Sequence, residues 1–235
     1  VAAEHVVVVG AGRVGRAIAF DLQNSGFAVT AVDLKPHNFP WLSSHGVATV
    51  QADASDPKVL ARLVAEARWV VSAVPGSLGF RALHSLVALG KEVVDISFMP
   101  EDPRALDSLA KEKRVRVAVD CGVAPGLSHL VLGAWYASAD RLDRFVCYVG
   151  GLPKKRELPW EYKAPFSPVD VLEEYTRPAR LRRGGAVVTL PAMSEPEVIR
   201  VPALGSLEAF CTDGLRTALD SIPVPWMEEK TLRYP

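Results

Sequence analysis

His5-Val6-Val7-Val8-Val9-Gly10-Ala11-Gly12-Arg13-Val14-Gly15 joins a short β-branched run to a glycine-rich turn, and Val14, Ala17, Ile18 and Leu22 then recur at helical spacing. The reading is strand, tight turn, helix. The glycines fit G-x-G-x-x-G in the one context that makes this pattern informative, with a strand before it and a helix after it. Gly10 permits the tight turn, Gly12 lets backbone approach a pyrophosphate, and Gly15 lets helix and strand pack closely. The helix N-terminus then offers its unbonded N–H groups to phosphate oxygens. Gly26 closes the helix, Ala28 to Val32 supplies a second strand, and Asp33 stands at its end.

Working outward, Val47 to Val50, Trp69 to Val74, Glu92 to Ile96 and Val115 to Val119 are further short apolar runs. Helical patterns such as Pro57 to Ala67 and Leu106 to Lys113 separate most of them. This alternation predicts an α/β chain whose residues 1–120 form a Rossmann domain, a doubly wound parallel sheet. Asp33 lies about 20 residues beyond the glycines, where a carboxylate accepts hydrogen bonds from the adenosine ribose and repels a 2′-phosphate, so NAD is the expected cofactor. Lys35 and His37 bring positive charge nearby and leave NADP or dual use as the alternative. The expected cofactor-binding set is Gly10, Ala11, Gly12, Arg13, Val14, Gly15 and Asp33, with Asp53 and Ala54 after the third strand and Ser72, Ala73, Val74 and Pro75 after the fourth. For Asp53, a loop or helix-capping carboxylate is an equal alternative.

Beyond Asp120 the texture changes, with Pro125, Pro153, Pro159, Pro165, Pro168 and Pro178 punctuating the chain. Phe145 to Gly150, Ala186 to Leu190, Val198 to Val201 and Leu207 to Cys211 read as strands joined in part by short loops. Residues 121–235 are therefore expected to form an α+β substrate and dimerisation domain with a mixed or antiparallel sheet. In the 235 residues, Lys plus Arg and Asp plus Glu both total 27, so no net field draws in nucleic acid or an anionic membrane; a small molecule is the expected partner. No apolar run approaches the roughly 20 residues of a spanning helix. A cytoplasmic protein is expected. Cys121, Cys147 and Cys211 form no C-x-x-C pair, and no metal site is expected.

Further motifs are more specific than the glycine pattern: Val94-Asp95-Ile96-Ser97, Gly122-Val123-Ala124-Pro125-Gly126-Leu127-Ser128, Gly150-Gly151-Leu152-Pro153, Glu208-Ala209-Phe210-Cys211-Thr212-Asp213-Gly214-Leu215, and Glu229-Lys230-Thr231-Leu232-Arg233-Tyr234-Pro235. On these the whole chain resembles the saccharopine dehydrogenase family, and within it the lysine 6-dehydrogenase branch. The resemblance implies hydride transfer from the nitrogen-bearing side-chain carbon of an amino acid to NAD, and a homodimer. Saccharopine reductases of the family carry Asp-Pro-Gly-Ile-Asp where this chain has Ala124-Pro125-Gly126-Leu127-Ser128, which favours oxidation of free lysine to 2-aminoadipate 6-semialdehyde and ammonia. A saccharopine dehydrogenase or carboxyspermidine-type reductase is the alternative within the family, and a non-catalytic NAD-binding sensor the alternative outside it. The resemblance also implies helices beyond Tyr234-Pro235, so the sequence is expected to be shortened or to lack the family's closing segment.

Amine oxidation needs a base for the nitrogen's proton and a cation for the substrate carboxylate. Asp95 and Asp120, each ending an expected strand, are the candidate bases, with capping or ion pairing as the competing account. By resemblance Arg180 is the carboxylate-binding arginine, its alternative being a solvated basic run with Arg182 and Arg183. Thr212 is implied to bind substrate and Asp213 to pair with its ammonium, the alternative being a plain turn. Ser128 and Lys163 complete the expected substrate set. His129 is read as a packed residue in preference to a proton carrier.

Overall fold

The computed structural model describes residues 3–163 and 166–235. They divide into two units, Val1–Cys121 and Gly122–Pro235.

In the first unit the elements run β1 (His5–Val9), α1 (Arg13–Asn24), β2 (Ala28–Asp33), α2 (Phe39–Ser44), β3 (Ala48–Gln51), α3 (Pro57–Leu63), β4 (Trp69–Ser72), α4 (Gly76–Ala88), β5 (Glu92–Asp95), α5 (Asp107–Lys113) and β6 (Val117–Ala118). All six strands are parallel, in the order β3-β2-β1-β4-β5-β6. The pleat explains why β1 is apolar at every step from Val6 to Val9. Val6 and Val8 pack with Ala19 of α1 and Leu42 of α2. Val7 and Val9 point to the other face, into Leu60 of α3 and Leu83, Leu86 and Val87 of α4. A strand covered on both faces has no solvent side to leave polar, and full burial of each valine stabilises by about 1.5–3 kcal/mol. The strand order reverses between β1 and β4, and at their C-terminal ends Gly10 N–H donates to Val32 O at 2.8 Å while Ala73 N–H donates to Val9 O at 2.8 Å. That crevice is where ligands bind in open parallel sheets. The expected strand over Val115 to Val119 shrinks to Val117–Ala118, and the helix expected over Pro57 to Ala67 stops at Leu63, where Val64 takes a non-helical ψ.

The second unit contains α6 (Leu127–Ser138), β7 (Arg144–Val149), α7 (Pro168–Thr176), β8 (Ala179–Arg183), β9 (Ala186–Leu190), β10 (Glu197–Val201), β11 (Gly205–Cys211), α8 (Ala218–Ser221) and β12 (Trp226–Arg233). Its sheet is mixed and organised on β12. The parallel strand β7 pairs with β12 from Trp226 to Thr231, while β11 pairs antiparallel at Lys230–Arg233 and β8 antiparallel at Met227. The hairpin β8–β9 turns on Gly184 and Gly185 at φ 57° and 86°, the left-handed pair a two-residue hairpin requires. On one face Phe145 and Met227 pack with Leu132 of α6 and with Leu215, Leu219 and Val224. Two strands of this sheet, β8 and β12, read as charged sequence and were not among the expected ones.

Candidate functional site

The glycine turn of the first unit has little room except in one direction. A Cβ on Gly10 (φ +96°) would lie 2.5 Å from Ala73 O, and one on Gly15 would lie 1.8 Å from Gly10 O. At Gly12 an added Cβ would meet nothing within 4 Å. Two glycines are thus demanded by packing, whereas Gly12 faces open space at the start of α1. The helix has no side-chain cap at Gly12 and no acidic residue in its first turn, an arrangement that suits an anion at its N-terminus. At the rim, Asp33 Oδ2 accepts from Ala11 N–H at 2.7 Å and Oδ1 from Lys35 N–H at 2.8 Å, while Asn38 Nδ2 donates to Ala11 O at 2.7 Å. A carboxylate and an amide are therefore held against the turn by bonds that fix its shape. An open cradle at a helix N-terminus beside a fixed carboxylate fits a dinucleotide: the pyrophosphate on the helix start, a ribose diol on the carboxylate.

Arg13 and Val14 are exposed at the same helix start, and Ala11 is buried. Asp53 is exposed, and its Oδ1 accepts from Ser55 N–H at 2.9 Å and Ser55 Oγ at 2.6 Å; the hydroxyl bond holds this carboxyl below its ordinary value. Helix α3 is capped instead by Asp56. Ala54 is half-buried beside it. Ser72 ends β4 buried, and Ala73, Val74 and Pro75 lead from it into α4.

Ser72 stands opposite Asp95 in the β4–β5 register. Asp95 is fully buried; its Oδ1 accepts from Ser97 N–H at 2.8 Å and Ser97 Oγ at 2.5 Å. Burial raises this carboxyl above its ordinary value against the lowering effect of Ser72 and Ser97, and the charge of Asp120 adds to the rise. Asp120 is itself 4% exposed and adopts a left-handed backbone at φ 55°. Cys121 is half-buried, and burial, Asp95 and Asp120 all raise its thiol. The two expected bases therefore form one acidic pair at the C-terminal edge of the parallel sheet.

In the second unit, Arg180 on β8 presents a fork to Asp213: Nε to Oδ1 at 2.9 Å and Nη2 to Oδ2 at 3.1 Å. Asp213 is 4% exposed and Arg180 39%. Asp213 belongs to the turn Thr212-Asp213-Gly214 that follows β11. Thr212 Oγ1 lies 2.5 Å from Glu229 Oε2, and Gly214 N–H donates to the same oxygen at 3.1 Å. From α6, His129 Nε2 lies 3.2 Å from Gly214 O. The Ser128 hydroxyl is shielded from solvent beside Cys147, whose thiol burial raises to about 11. The structure thus gathers Arg180, Thr212, Asp213 and His129 around one turn, with Ser128 the chain neighbour of His129 and beside Cys147. Lys163 stands apart, exposed. The neighbours Arg182 and Arg183 are not a solvated run: Arg182 donates to Leu219 O and Ile222 O, and Arg183 bridges Glu195 and Glu228. That bridge also explains why Glu195, Cys211 and Glu228 approach within 4.8 Å.

Residues 122–235 match the saccharopine dehydrogenase C-terminal domain, and residues 6–92 match the TrkA-N domain. The second unit thus carries the saccharopine dehydrogenase C-terminal domain, and the chain is similar to saccharopine dehydrogenases across both units. Among its relatives, saccharopine dehydrogenase (NADP+, L-glutamate-forming) of Pyricularia oryzae is 27% identical over 80% of this chain and 44% of its own length. The Saccharomyces cerevisiae protein of the same name is 24% identical, again over 80% and 44%. The chain therefore spans less than half the length of these relatives. The structure of the apo yeast saccharopine dehydrogenase superposes with a TM-score of 0.78 at 22% identity, covering 98% of this chain and 55% of that one, a likeness of fold.

Three polar residues around the second unit's turn were not picked out from sequence: Glu229, Glu174 and Thr231. Thr231 Oγ1 lies 2.8 Å from Thr212 Oγ1 and donates to Glu174 Oε1 at 2.5 Å, and Arg233 Nη2 donates to Glu174 Oε2 at 3.1 Å. Glu229 and Thr231 sit in a family motif noted above, so the signal was there, but β12 was not read as a strand and the i, i+2 alternation that puts Glu229, Thr231 and Arg233 on one face went unseen.

Proposed function

We propose that this chain is part of an NAD-dependent amino-acid dehydrogenase acting on a primary amine, most like an L-lysine 6-dehydrogenase. The observation that carries the reading is the open Gly12 cradle with Asp33 bonded into its rim, in a chain whose other half belongs to the saccharopine dehydrogenase C-terminal domain. Gly10, Gly12 and the first amides of α1 would hold the pyrophosphate and Asp33 the ribose. When bound, the nicotinamide supplies a hydride acceptor.

The protein's own residues must do the rest. Arg180, aligned by Asp213, would take the substrate α-carboxylate through its exposed edge, since a guanidinium already fixed by one carboxylate is pre-oriented for a second acceptor. Asp95 or Asp120 would accept the proton leaving the amine; burial, with the Asp120 charge adding to it, raises the affinity of Asp95 for a proton above that of an ordinary carboxylate, the direction that suits a base. With the cofactor serving as hydride acceptor, the substrate amine would become an imine as its N–H proton passes to the base, and water would then replace the imine nitrogen to leave an aldehyde and ammonia. Ala124 and Ser128, in place of two carboxylates, support free lysine over saccharopine. A homodimer in the cytoplasm belongs to the same proposal.

The names of the relatives favour a second reading, in which saccharopine is the substrate and NADP the cofactor. The test is initial-rate measurement of reduced cofactor with NAD and NADP against L-lysine, saccharopine, ornithine and diamines. Lysine with NAD is the expected pair. Turnover of saccharopine with NADP alone selects the second reading, and tight NAD binding without turnover of any amine selects a sensor.

A further inference from the structure

Between β12, α7 and the turn after β11, four side chains stand in line: Glu229 Oε2 to Thr212 Oγ1 at 2.5 Å, Thr212 Oγ1 to Thr231 Oγ1 at 2.8 Å, and Thr231 Oγ1 to Glu174 Oε1 at 2.5 Å. Three short oxygen–oxygen contacts need three protons. The two hydroxyls supply two, so one of the carboxyls at the ends must supply the third. Glu174 is bonded to the Arg233 guanidinium at 3.1 Å and half-buried, which favours its anion. Glu229 is 3% exposed and has no cation on its carboxyl among the described residues. Burying a carboxylate to that degree without a countercharge costs far more than burying the neutral acid.

We propose that Glu229 is protonated and donates along this chain to Thr212, and that in this form it sets the Thr212-Asp213-Gly214 turn and through Asp213 the direction of the Arg180 guanidinium. Glu229 is a positioning residue. Its grip on the turn is double, because Gly214 N–H also rests on Oε2. A Cβ on Gly214 would lie 2.5 Å from Glu229 Cδ, so the turn and the carboxyl are built to touch.

Loss of the proton leaves two protons for three contacts, so the line must part at one of them, and it sets a further negative charge beside Asp213 in the turn and Glu174 on α7; the Cys147 thiol on β7, which burial raises to about 11, stays neutral there. On α6, His129 reaches the same turn through Gly214 O. Of the nearby cations, Arg180 is engaged by Asp213 and Arg233 by Glu174, while Arg177 also faces Asp213 and the buried Arg216. Burial pushes Glu229 up to about 7, with the charges of Glu174 and Asp213 adding to the rise against the Thr212 and Gly214 bonds. The lock therefore opens near neutrality. The consequence for substrate rests on the reading of Arg180 as the carboxylate-binding residue: binding should weaken about tenfold as Glu229 ionises, the effect of one hydrogen bond to a charged partner.

The test uses the full chain labelled for NMR. The Glu229 carboxyl carbon and the Arg180 Nε–H signals are followed from about pH 5 to 9, and L-lysine binding is measured by calorimetry at both ends. Both signals should titrate together, and in Glu229→Gln, which stays neutral, the Arg180 signal and the affinity should lose their pH dependence. A Glu229 carboxyl already ionised at the lower pH, or one that titrates without moving Arg180, overturns the proposal; the wild-type titration decides this even if the variant fails to fold. If the two signals move together but L-lysine does not bind and Arg180→Ala changes nothing, the lock stands and the carboxylate reading of Arg180 falls.

Discussion

Gly12 and Gly15 lie three residues apart in one turn, yet the structure gives them different reasons to be glycine, and a pair of alanine substitutions should separate them. At Gly15 the new Cβ would sit 1.8 Å from Gly10 O and 2.9 Å from Gly10 C. Normal contact lies near 3.4 Å or beyond, so α1 must back away from the turn by more than 1 Å, roughly the displacement that overpacking penalties of about 1–3 kcal/mol describe. Alanine's better helix propensity returns up to about 1 kcal/mol. A net loss of about 2 kcal/mol lowers the melting temperature of a domain this size by about 8 °C. At Gly12 the backbone is extended at φ −67° and ψ −160°, open to any residue, and the Cβ meets nothing within 4 Å. Gly12→Ala should therefore melt within about 2 °C of the parent, while its methyl fills the space reserved for the pyrophosphate. Losing two amide–phosphate bonds, at about 1.5 kcal/mol each, weakens cofactor binding on the order of 10²-fold. Thermal melts monitored by near-UV circular dichroism and cofactor titration by fluorescence give both numbers. Unchanged NAD affinity in Gly12→Ala would refute the cradle, and an undisturbed melt in Gly15→Ala would refute the packing argument.

Other consequences can be measured on the same preparations. Asp33→Ser should weaken NAD about tenfold through the lost charge-assisted bonds and narrow the gap to NADP, read as the ratio of the two dissociation constants. Because Glu229 is held at about 7 against an ordinary 4.5, the folded chain binds its proton more tightly than the unfolded chain. That stabilisation is complete below about pH 4.5 and is lost as the pH rises through about 7, a total of about 3 kcal/mol; urea unfolding across this range should show the slope in the parent and its absence in Glu229→Gln. Arg180→Lys keeps the charge but breaks the fork on Asp213, so KM for the amino acid should rise at least tenfold with the cofactor KM unchanged. Asp95→Asn should lower kcat on the order of 10²-fold if Asp95 is the base.

The first unit was legible because its sheet is parallel and covered on both faces, so burial and sequence agree: Val6 to Val9 can only be a central strand, and Gly10 can only be a turn. The second unit hides its centre. Trp226–Arg233 runs through the middle of the mixed sheet although it carries two glutamates, a lysine and an arginine. Each charge is neutralised by a partner remote in sequence: Glu228 by Arg144 and Arg183, Lys230 by Glu197, Arg233 by Glu174. Glu229 is accommodated by one hydroxyl and an amide. No local pattern encodes such pairings, and charged residues argue against a buried strand until their partners are known. The bounding Pro225 and Pro235 were the one local clue to a strand of that length. For the same reason Arg180 read equally well as ligand or surface, since its partner Asp213 lies 33 residues away.

The central claim, that the chain takes a hydride from the carbon bearing an amine and passes it to NAD, is tested most directly with L-lysine deuterated at its ε-carbon. Incubation with NAD should yield reduced cofactor carrying one deuterium from the substrate, with ammonia released in equal amount. Reduced cofactor without the label, or none under conditions where NAD is bound, would contradict it.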